Sequence, residues 1–342
     1  MRVLQVMSGA KVGGAERFFV DLVCALQRAG LRQQVIIRHD EARARSLRQA
    51  GLDPIELPFR RFLDFTTRSK LKRYIEAFRP DIVQTWMSRA SARCPAGSFI
   101  HVGWLGGYYD LKYFSHCDEL VGVTQDLAEY TVRKGWPRQH SHYLPTLAFD
   151  EPQPRLHRAD FDTPENVPLI LALGRLHKDK GFDLLLKSLV QVPNAFLWLA
   201  GAGPLENQLK ALTKELGVES RVRFLGWRDD RAALYASCDM CAMPSRVEPF
   251  GTVMIEAWAY RCPIIAAAAI GPHALIKHEE NGLLVPIDDI PGLTTAIRQL
   301  IEQPELATKL VEAGRKAYEA EYTEARVVSR YLAFYEALVK TR

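Results

Sequence analysis

The sequence predicts an α/β protein with two doubly wound parallel sheets, and three observations carry that expectation. At 342 residues, 48% hydrophobic and 25% charged, the chain holds enough apolar material for more than one core. Short β-branched runs alternate with amphipathic helical stretches along its length, which is the βαβ rhythm of parallel sheets. The rhythm breaks once, across 145–168, where five prolines stand among turn formers.

The elements follow in order. Residues 3–7 read as the first strand, 15–29 as an amphipathic helix and 34–37 as the second strand. After further helical material come strands at 82–85, 98–104 and 120–123. Residues 151–168 read as the connector between two domains, 1–150 and 169–323. Beyond the connector, strands are expected at 169–173, 195–200, 222–225, 240–243, 263–267 and 282–285, each separated by a helical segment. The stretch from about 324 to 342 is an amphipathic helix expected to pack back on the first half. Two Rossmann-like halves put a cleft at the carboxyl ends of their strands, where ligands of doubly wound folds bind.

Composition narrows the function. The N-terminal run has no basic region ahead of an apolar stretch, so no secretory signal is expected. The longest apolar run, 262–270, contains a proline and falls well short of the roughly 20 residues that cross a bilayer. Cysteines at 24, 94, 117, 238, 241 and 262 follow no disulfide-scaffold spacing, and a reducing cytoplasm is the expected setting. Cys238 and Cys241 match C-x-x-C but lie where an alternating strand begins, with no second pair and no nearby histidine; they read as buried small hydrophobes. The one Asp-x-Asp match, Asp160-Phe161-Asp162, falls in the Pro-rich connector and not at a strand end, and is not read as a metal site.

Charge is unevenly spread. Residues 1–150 hold 22 Lys/Arg against 15 Asp/Glu, a balance of +7, while 151–342 hold 23 against 25, a balance of −2. Within the first half, 58–80 carries seven basic and two acidic residues, with Phe59, Phe62, Phe65, Leu71, Tyr74 and Phe78 interleaved. Two readings of this segment stand side by side. One is a peripheral surface for anionic lipid head groups or a phosphorylated acceptor; the other is an ordinary amphipathic helix with a solvated basic side. Nucleic acid is not expected, because no binding motif accompanies the charge.

The strongest chemical signal is Pro244-Ser245-Arg246-Val247-Glu248-Pro249-Phe250-Gly251-Thr252-Val253-Met254-Ile255-Glu256. It follows an expected strand, turns at Pro249-Phe250-Gly251 and opens a helix. The first N–H groups of that helix, at Gly251, Thr252 and Val253, are left to bind an anion such as a diphosphate. Glu248 in the turn can accept hydrogen bonds from sugar hydroxyls, and Glu256, more than a turn into the helix, can grip both hydroxyls of a ribose. The second signal is Gly174-Arg175-Leu176-His177-Lys178-Asp179-Lys180-Gly181-Phe182-Asp183, directly after the strand at 169–173. Arg175 emerges at that strand's carboxyl end and Lys180 stands at the turn into the next helix, so the two can neutralise a diphosphate.

These segments, with Gly201-Ala202-Gly203-Pro204, Asn281-Gly282-Leu283-Leu284-Val285 and the early Gly13-Gly14-Ala15-Glu16, resemble in order and spacing the family 4 retaining glycosyltransferases of the GT-B fold. The resemblance spans nearly the whole chain. It implies transfer of a hexose-type sugar from a UDP- or GDP-linked donor to a glycan or lipid-linked acceptor, with the anomeric configuration kept. It implies that Arg175 and Lys180 hold the donor diphosphate, Glu248 orients the donor sugar and Glu256 grips the ribose. Gly174, Gly203, Phe250, Gly251, Thr252 and Val253 complete the implied donor site, and no metal or other cofactor is needed. Gly13 and Gly14 let the first-half loop approach the reacting sugar, as glycines permit close backbone approach.

With Thr85-Trp86-Met87-Ser88 as well, the chain looks like the branch that builds lipopolysaccharide or exopolysaccharide, working on the cytoplasmic face of the inner membrane. There is one departure. Many members place a histidine just past a first-half strand, whereas His101 falls inside the expected strand 98–104, where a lone histidine reads as packing. Gly106, Gly107 and Asp110 are expected to line that part of the cleft, with His101 kept as a further candidate. Two other functions are carried beside the transferase: a GT-B-like nucleotide-sugar epimerase or a phosphorylase, and a non-catalytic nucleotide-sugar-binding protein. Product analysis without acceptor separates the first, and nucleotide binding without turnover the second.

Overall fold

Strands of a parallel sheet covered by helices on both faces are apolar on both faces, which is why the β-branched runs of this chain fold as they do. The structure, a computed structural model, describes residues 1–10, 13–60, 64 and 66–341. It divides into two units, Met1–Leu147 with Glu324–Arg342, and Ala148–Thr323.

The first unit runs β1 (Arg2–Met7), α1 (Gly14–Arg28), β2 (Arg32–Arg38), α2 (Glu41–Gln49), β3 (Ile55–Leu57), α3 (Thr67–Phe78), β4 (Ile82–Trp86), α4 (Met87–Arg93), β5 (Ile100–Leu105), β6 (Glu119–Gly122), α5 (Gln125–Arg133) and β7 (Ser141–Tyr143). Its strands pair in the order β3-β2-β1-β4-β5-β6-β7, all parallel. The sequence expectation lacks β3 and β7; each has three residues at a sheet edge, too few for a period to register. Trp86 and Trp104, with ring centroids 4.7 Å apart, join Phe18 and Phe19 of α1 in a buried aromatic cluster.

The second unit runs β8 (Leu169–Leu173), α6 (Phe182–Val190), β9 (Phe196–Ala200), α7 (Glu206–Glu215), β10 (Val222–Gly226), α8 (Arg231–Ser237), β11 (Met240–Met243), α9 (Thr252–Ala259), β12 (Ile264–Ala267), α10 (Ile270–Leu275), β13 (Leu283–Val285), α11 (Ile290–Glu302) and α12 (Pro304–Glu321). Its parallel sheet has the order β10-β9-β8-β11-β12-β13. The direction of winding reverses between β8 and β11, so the loops leaving those two strands diverge and open a crevice at their carboxyl ends. Cys238 and Cys241, at the start of β11, are buried.

The last helix, α13 (Glu324–Lys340), belongs to the first unit. There the Tyr335 hydroxyl accepts from Gln5 Nε2 at 3.3 Å and donates to Gln84 Oε1 at 2.7 Å. Gln5 and Gln84 sit fully buried in the central strands β1 and β4, where an unpaired amide would cost about 1–3 kcal/mol. Arg28 of α1 adds an exposed bidentate pair with Glu324.

The connector and the basic segment are both tied into the units that carry them. The stretch 151–168 is held on the second unit by Arg158. That buried guanidinium donates to the Ser237, Glu165 and Val167 carbonyls and to the Asp239 carboxylate. Asp160 and Asp162 fall in and after the 3-10 turn Arg158–Phe161, and the Asp162 carbonyl accepts from Arg223. In the basic segment, Phe59, Leu71 and Ile75 are core residues, with Tyr74 and Phe78 packed against them. Arg68, Lys70, Lys72 and Arg73 of α3 face outward. Phe62 and Phe65 lie outside the described residues.

Candidate active site

The two motif segments leave β8 and β11 side by side at the reversal point. Gly174 follows β8 with a φ of 148°, and its N–H donates to the Ala200 carbonyl at 3.0 Å. Arg175 is exposed; its carbonyl accepts from the His177 N–H at 2.7 Å, while its guanidinium has no partner among the described residues. A 3-10 turn, Lys178–Lys180, then ends at Gly181, whose φ of 65° starts α6. A Cβ on Gly181 would lie 2.0 Å from the Pro244 carbonyl oxygen, so glycine is what lets the loop after β8 touch the end of β11. Gly203 serves the same kind of contact: a Cβ there would meet the Leu176 oxygen at 2.4 Å.

From the neighbouring loop, Glu248 reaches Lys180 and forms a direct ion pair with it. The carboxylate is largely buried and the ammonium about a quarter exposed. The Glu248 backbone carbonyl accepts from Gly271 at 2.9 Å, which fixes the turn on α10. Phe250 is buried, and Gly251, with a φ of 90°, opens α9. The N–H groups of Gly251, Thr252 and Val253 have no acceptor among the described residues. The structure therefore gathers an unpaired guanidinium, an ammonium–carboxylate pair and a free helix start in one unit, the charge pattern an anionic sugar nucleotide fits.

Glu256 is buried on α9 and already engaged. Arg231 Nη1 donates to its Oε1 at 2.5 Å, and the buried Tyr235 hydroxyl lies 3.3 Å from its Oε2 and 2.9 Å from the Val253 carbonyl. Sequence reasoning missed Arg231 and Tyr235. Their i, i+4 spacing on one helix face is the available signal, though it does not say which helix they face. It also missed Arg246. Both its terminal nitrogens bind the Asp183 carboxylate at 2.7 Å, its Nε binds Asp288 at 2.6 Å, and its Nη1 donates to the Lys178 carbonyl at 3.0 Å. Burial alone would lift the Asp183 carboxyl, but the hydrogen bonds from Arg246 outweigh it and hold the group below the usual carboxylate range.

In the first unit the loops after β1 and β5 come together. A Cβ on Gly106 would lie 3.7 Å from Ala15 Cβ and 2.7 Å from the Trp104 ring, whereas Gly107 is buried but roomy. Gly14 is the first residue of α1, and a Cβ on Gly13 would meet Glu16 Oε2 at 2.2 Å. Glu16, buried, accepts from the Ala10 N–H at 2.7 Å, while buried Arg43 donates to the Ala10 carbonyl at 2.5 Å. This clamp on both backbone groups of Ala10 is a further feature the sequence reading did not single out.

The acceptor-side candidates His101 and Asp110 each have local partners. His101 is the second residue of β5, so it stands at the amino edge of the sheet, opposite the ligand edge. Its Nδ1 donates to the His116 carbonyl at 2.9 Å, its Nε2 lies 2.9 Å from Thr85 Oγ1, and burial lowers its pKa to about 4. Burial thus favours the neutral imidazole there. Asp110 is spent locally: it caps the 3-10 turn Leu111–Phe114 through the Lys112 N–H at 3.0 Å and pairs with the Lys112 ammonium at 2.8 Å.

Comparison with known proteins agrees with this geometry. Residues 12–147 match the family described as Glycosyltransferase Family 4, and residues 155–317 the family described as Glycosyl transferases group 1. The chain is 34% identical over 346 residues to the lipopolysaccharide core biosynthesis glycosyltransferase LpsD of Rhizobium meliloti, covering 100% of both chains. It superimposes on a glycosyltransferase of Rickettsia africae with a TM-score of 0.88 at 19% identity, covering 100% of this chain and 99% of that one. The Anabaena protein HepE in complex with UDP-glucose gives a TM-score of 0.82 at 21% identity over 97% and 99% of the two chains. Two parallel-sheet units, a charged crevice at the reversal point of the second and a full-length match at this identity lead to one assignment: the chain is a glycosyltransferase of family 4, with the GT-B fold.

Proposed function

We propose that the chain is a retaining hexosyltransferase of lipopolysaccharide core assembly, using a UDP- or GDP-linked sugar. The acceptor class rests on the full-length similarity to the lipopolysaccharide core enzyme LpsD. The donor class rests on the meeting of Lys180 with Glu248 beside the unpaired Arg175 at the reversal point, and it is consistent with the UDP-glucose complex of the structural neighbour HepE. That meeting carries the proposal.

In this reading Arg175, Lys180 and the amides of Gly251, Thr252 and Val253 bind the donor diphosphate, and Glu248 orients the sugar hydroxyls. Glu256, set by Arg231 and Tyr235, holds the ribose. Cleavage of the anomeric C–O bond sends its electron pair to the β-phosphate oxygen. The acceptor hydroxyl attacks the same face, and its proton passes to that departing phosphate. The new charge falls on the phosphate, so pre-aligned cations and N–H donors lower the barrier without an enzymic nucleophile. The cations supplied by the chain take the place of a divalent ion in this proposal.

A thermal-shift panel of UDP, GDP, ADP and dTDP in EDTA tests it. One nucleotide is expected to stabilise the protein by about 2.7 kcal/mol at a hundredfold excess over its Kd. A shift that appears only after magnesium or manganese is added would overturn the metal-free reading; no shift under either condition would overturn the donor site.

The proposed setting is the cytoplasmic face of the inner membrane. No described helix is long and apolar enough to cross a membrane. The outward face of α3 is basic while its aromatic residues face the core, so contact with anionic lipid would be electrostatic. Each Lys or Arg near such a surface contributes about 1 kcal/mol, and screening removes most of it in salt well above physiological strength. Sedimentation with anionic phospholipid vesicles is expected at low salt and lost on adding Lys70→Glu with Lys72→Glu. Equal sedimentation of the double variant would sink the idea.

A further inference from the structure

The donor site needs Lys180 and Glu248 to face each other, yet they come from loops 68 residues apart in the chain. We infer that Arg246 is a positioning residue for the transfer reaction, setting the Lys180–Glu248 pair from outside it; the inference rests on the donor-site reading above. Arg246 ties three segments together. Its guanidinium takes both oxygens of Asp183 on α6, the Lys178 carbonyl in the loop after β8, and Asp288 beyond β13. Its backbone N–H and that of Val247 both donate to the Asp179 carbonyl, at 2.8 and 3.1 Å. The residues flanking Lys180 on one side and preceding Glu248 on the other are thus stapled directly, with Gly181 letting the backbones close up.

Orientation along the loop shows what the staple does. Val247 is 56% exposed while its neighbour Glu248 is nearly buried, so the chain must be held in one register for the carboxylate to turn inward. Two N–H donors on one carbonyl and a planar fork on one carboxylate supply that register; a lysine could meet one carboxylate but not both. The pairs are partly solvated, with Arg246 and Asp183 side chains 28% and 33% exposed and Asp288 56%. Ion pairs at that exposure add little to folding stability. Truncation should therefore disturb alignment more than the fold, and misplacement by about 1 Å can lower turnover by about 10²-fold.

Arg246→Gln, Asp183→Asn and the double variant are assayed for kcat and donor KM in the full chain, with Lys180→Ala in parallel. Arg246→Gln is expected to lower kcat by roughly 10- to 100-fold with donor KM within about threefold. The double variant should be little worse than either single one, because both remove the same link. Arg246→Lys should recover part of the loss. Near wild-type kcat in Arg246→Gln overturns the inference. So does a loss that disappears when the assay is run well below the variant's melting temperature, since that is a purely structural effect. If Lys180→Ala is inactive while Arg246→Gln is normal, only this inference falls; if both are normal, the donor-site reading falls with it.

Discussion

Lys180→Ala is expected to remain folded and to lose about 10²–10³ in kcat, equivalent to roughly 3–4 kcal/mol of barrier. The side chain is about a quarter exposed, so its removal takes little apolar burial with it. Two effects act on the reaction. The ammonium no longer meets the charge arriving on the departing diphosphate, and Glu248, largely buried, is left without its cation. An uncompensated carboxylate next to a diphosphate would repel it, so donor affinity should fall as well. Adding Glu248→Gln to Lys180→Ala separates the two: it relieves the repulsion and should improve KM, but it cannot restore kcat. A Lys180→Ala enzyme within a few-fold of wild-type turnover would remove Lys180 from the chemistry.

The parts of this site that sequence reasoning reached obey local rules. Arg175 follows an apolar strand directly, and the carboxyl end of a parallel strand is where ligands bind, so its placement needs no tertiary information. Gly251 announces a helix start, and Glu256 follows from the helical count. The parts it missed depend on which strands are neighbours. That Lys180 touches Glu248, and that Arg246 turns back to Asp183 and not outward to solvent, both follow from β8 lying beside β11, a pairing of segments some 70 residues apart. Nothing in either segment alone encodes it.

His101 shows a different limit. A strand start placed at 98 puts this residue near mid-strand, whereas the observed start at Ile100 puts it at the wrong edge of the sheet for chemistry. Element ends are the least legible feature of a sequence. Asp110 was legible in principle, since an aspartate two residues before a lysine N–H donor at a turn start is a capping pattern. Glu256 was read as open to a ribose, and its partner Arg231 on α8 emerges only from the packing of two helices.

Gly181→Ala is expected to produce a large stability loss for a single-methyl change, and Gly217→Ala isolates the reason. The two glycines have nearly the same backbone, with φ of 65° and 67°. A non-glycine residue in that left-handed region costs about 1–2 kcal/mol at either place. At Gly217 a Cβ would meet nothing within 4 Å, whereas at Gly181 it would lie 2.0 Å from the Pro244 oxygen and 3.0 Å from its carbon. That contact is with backbone at the end of β11, so one of the two loops must move. Gly217→Ala should lower the melting temperature by a few degrees, at roughly 2–4 °C per kcal/mol for domains of 150–250 residues. Gly181→Ala should lose more than about 3 kcal/mol, roughly 10 °C. Because Gly181 follows Lys180 and Pro244 precedes the Glu248 loop, whatever movement relieves the clash also parts the ion pair. The residual folded enzyme, assayed in the cold, should therefore be as impaired as Lys180→Ala. Equal melting shifts for the two glycine variants would mean that the loops accommodate the methyl group freely, and a cold assay at wild-type rate would mean that the approach of these loops does not set the Lys180–Glu248 pair.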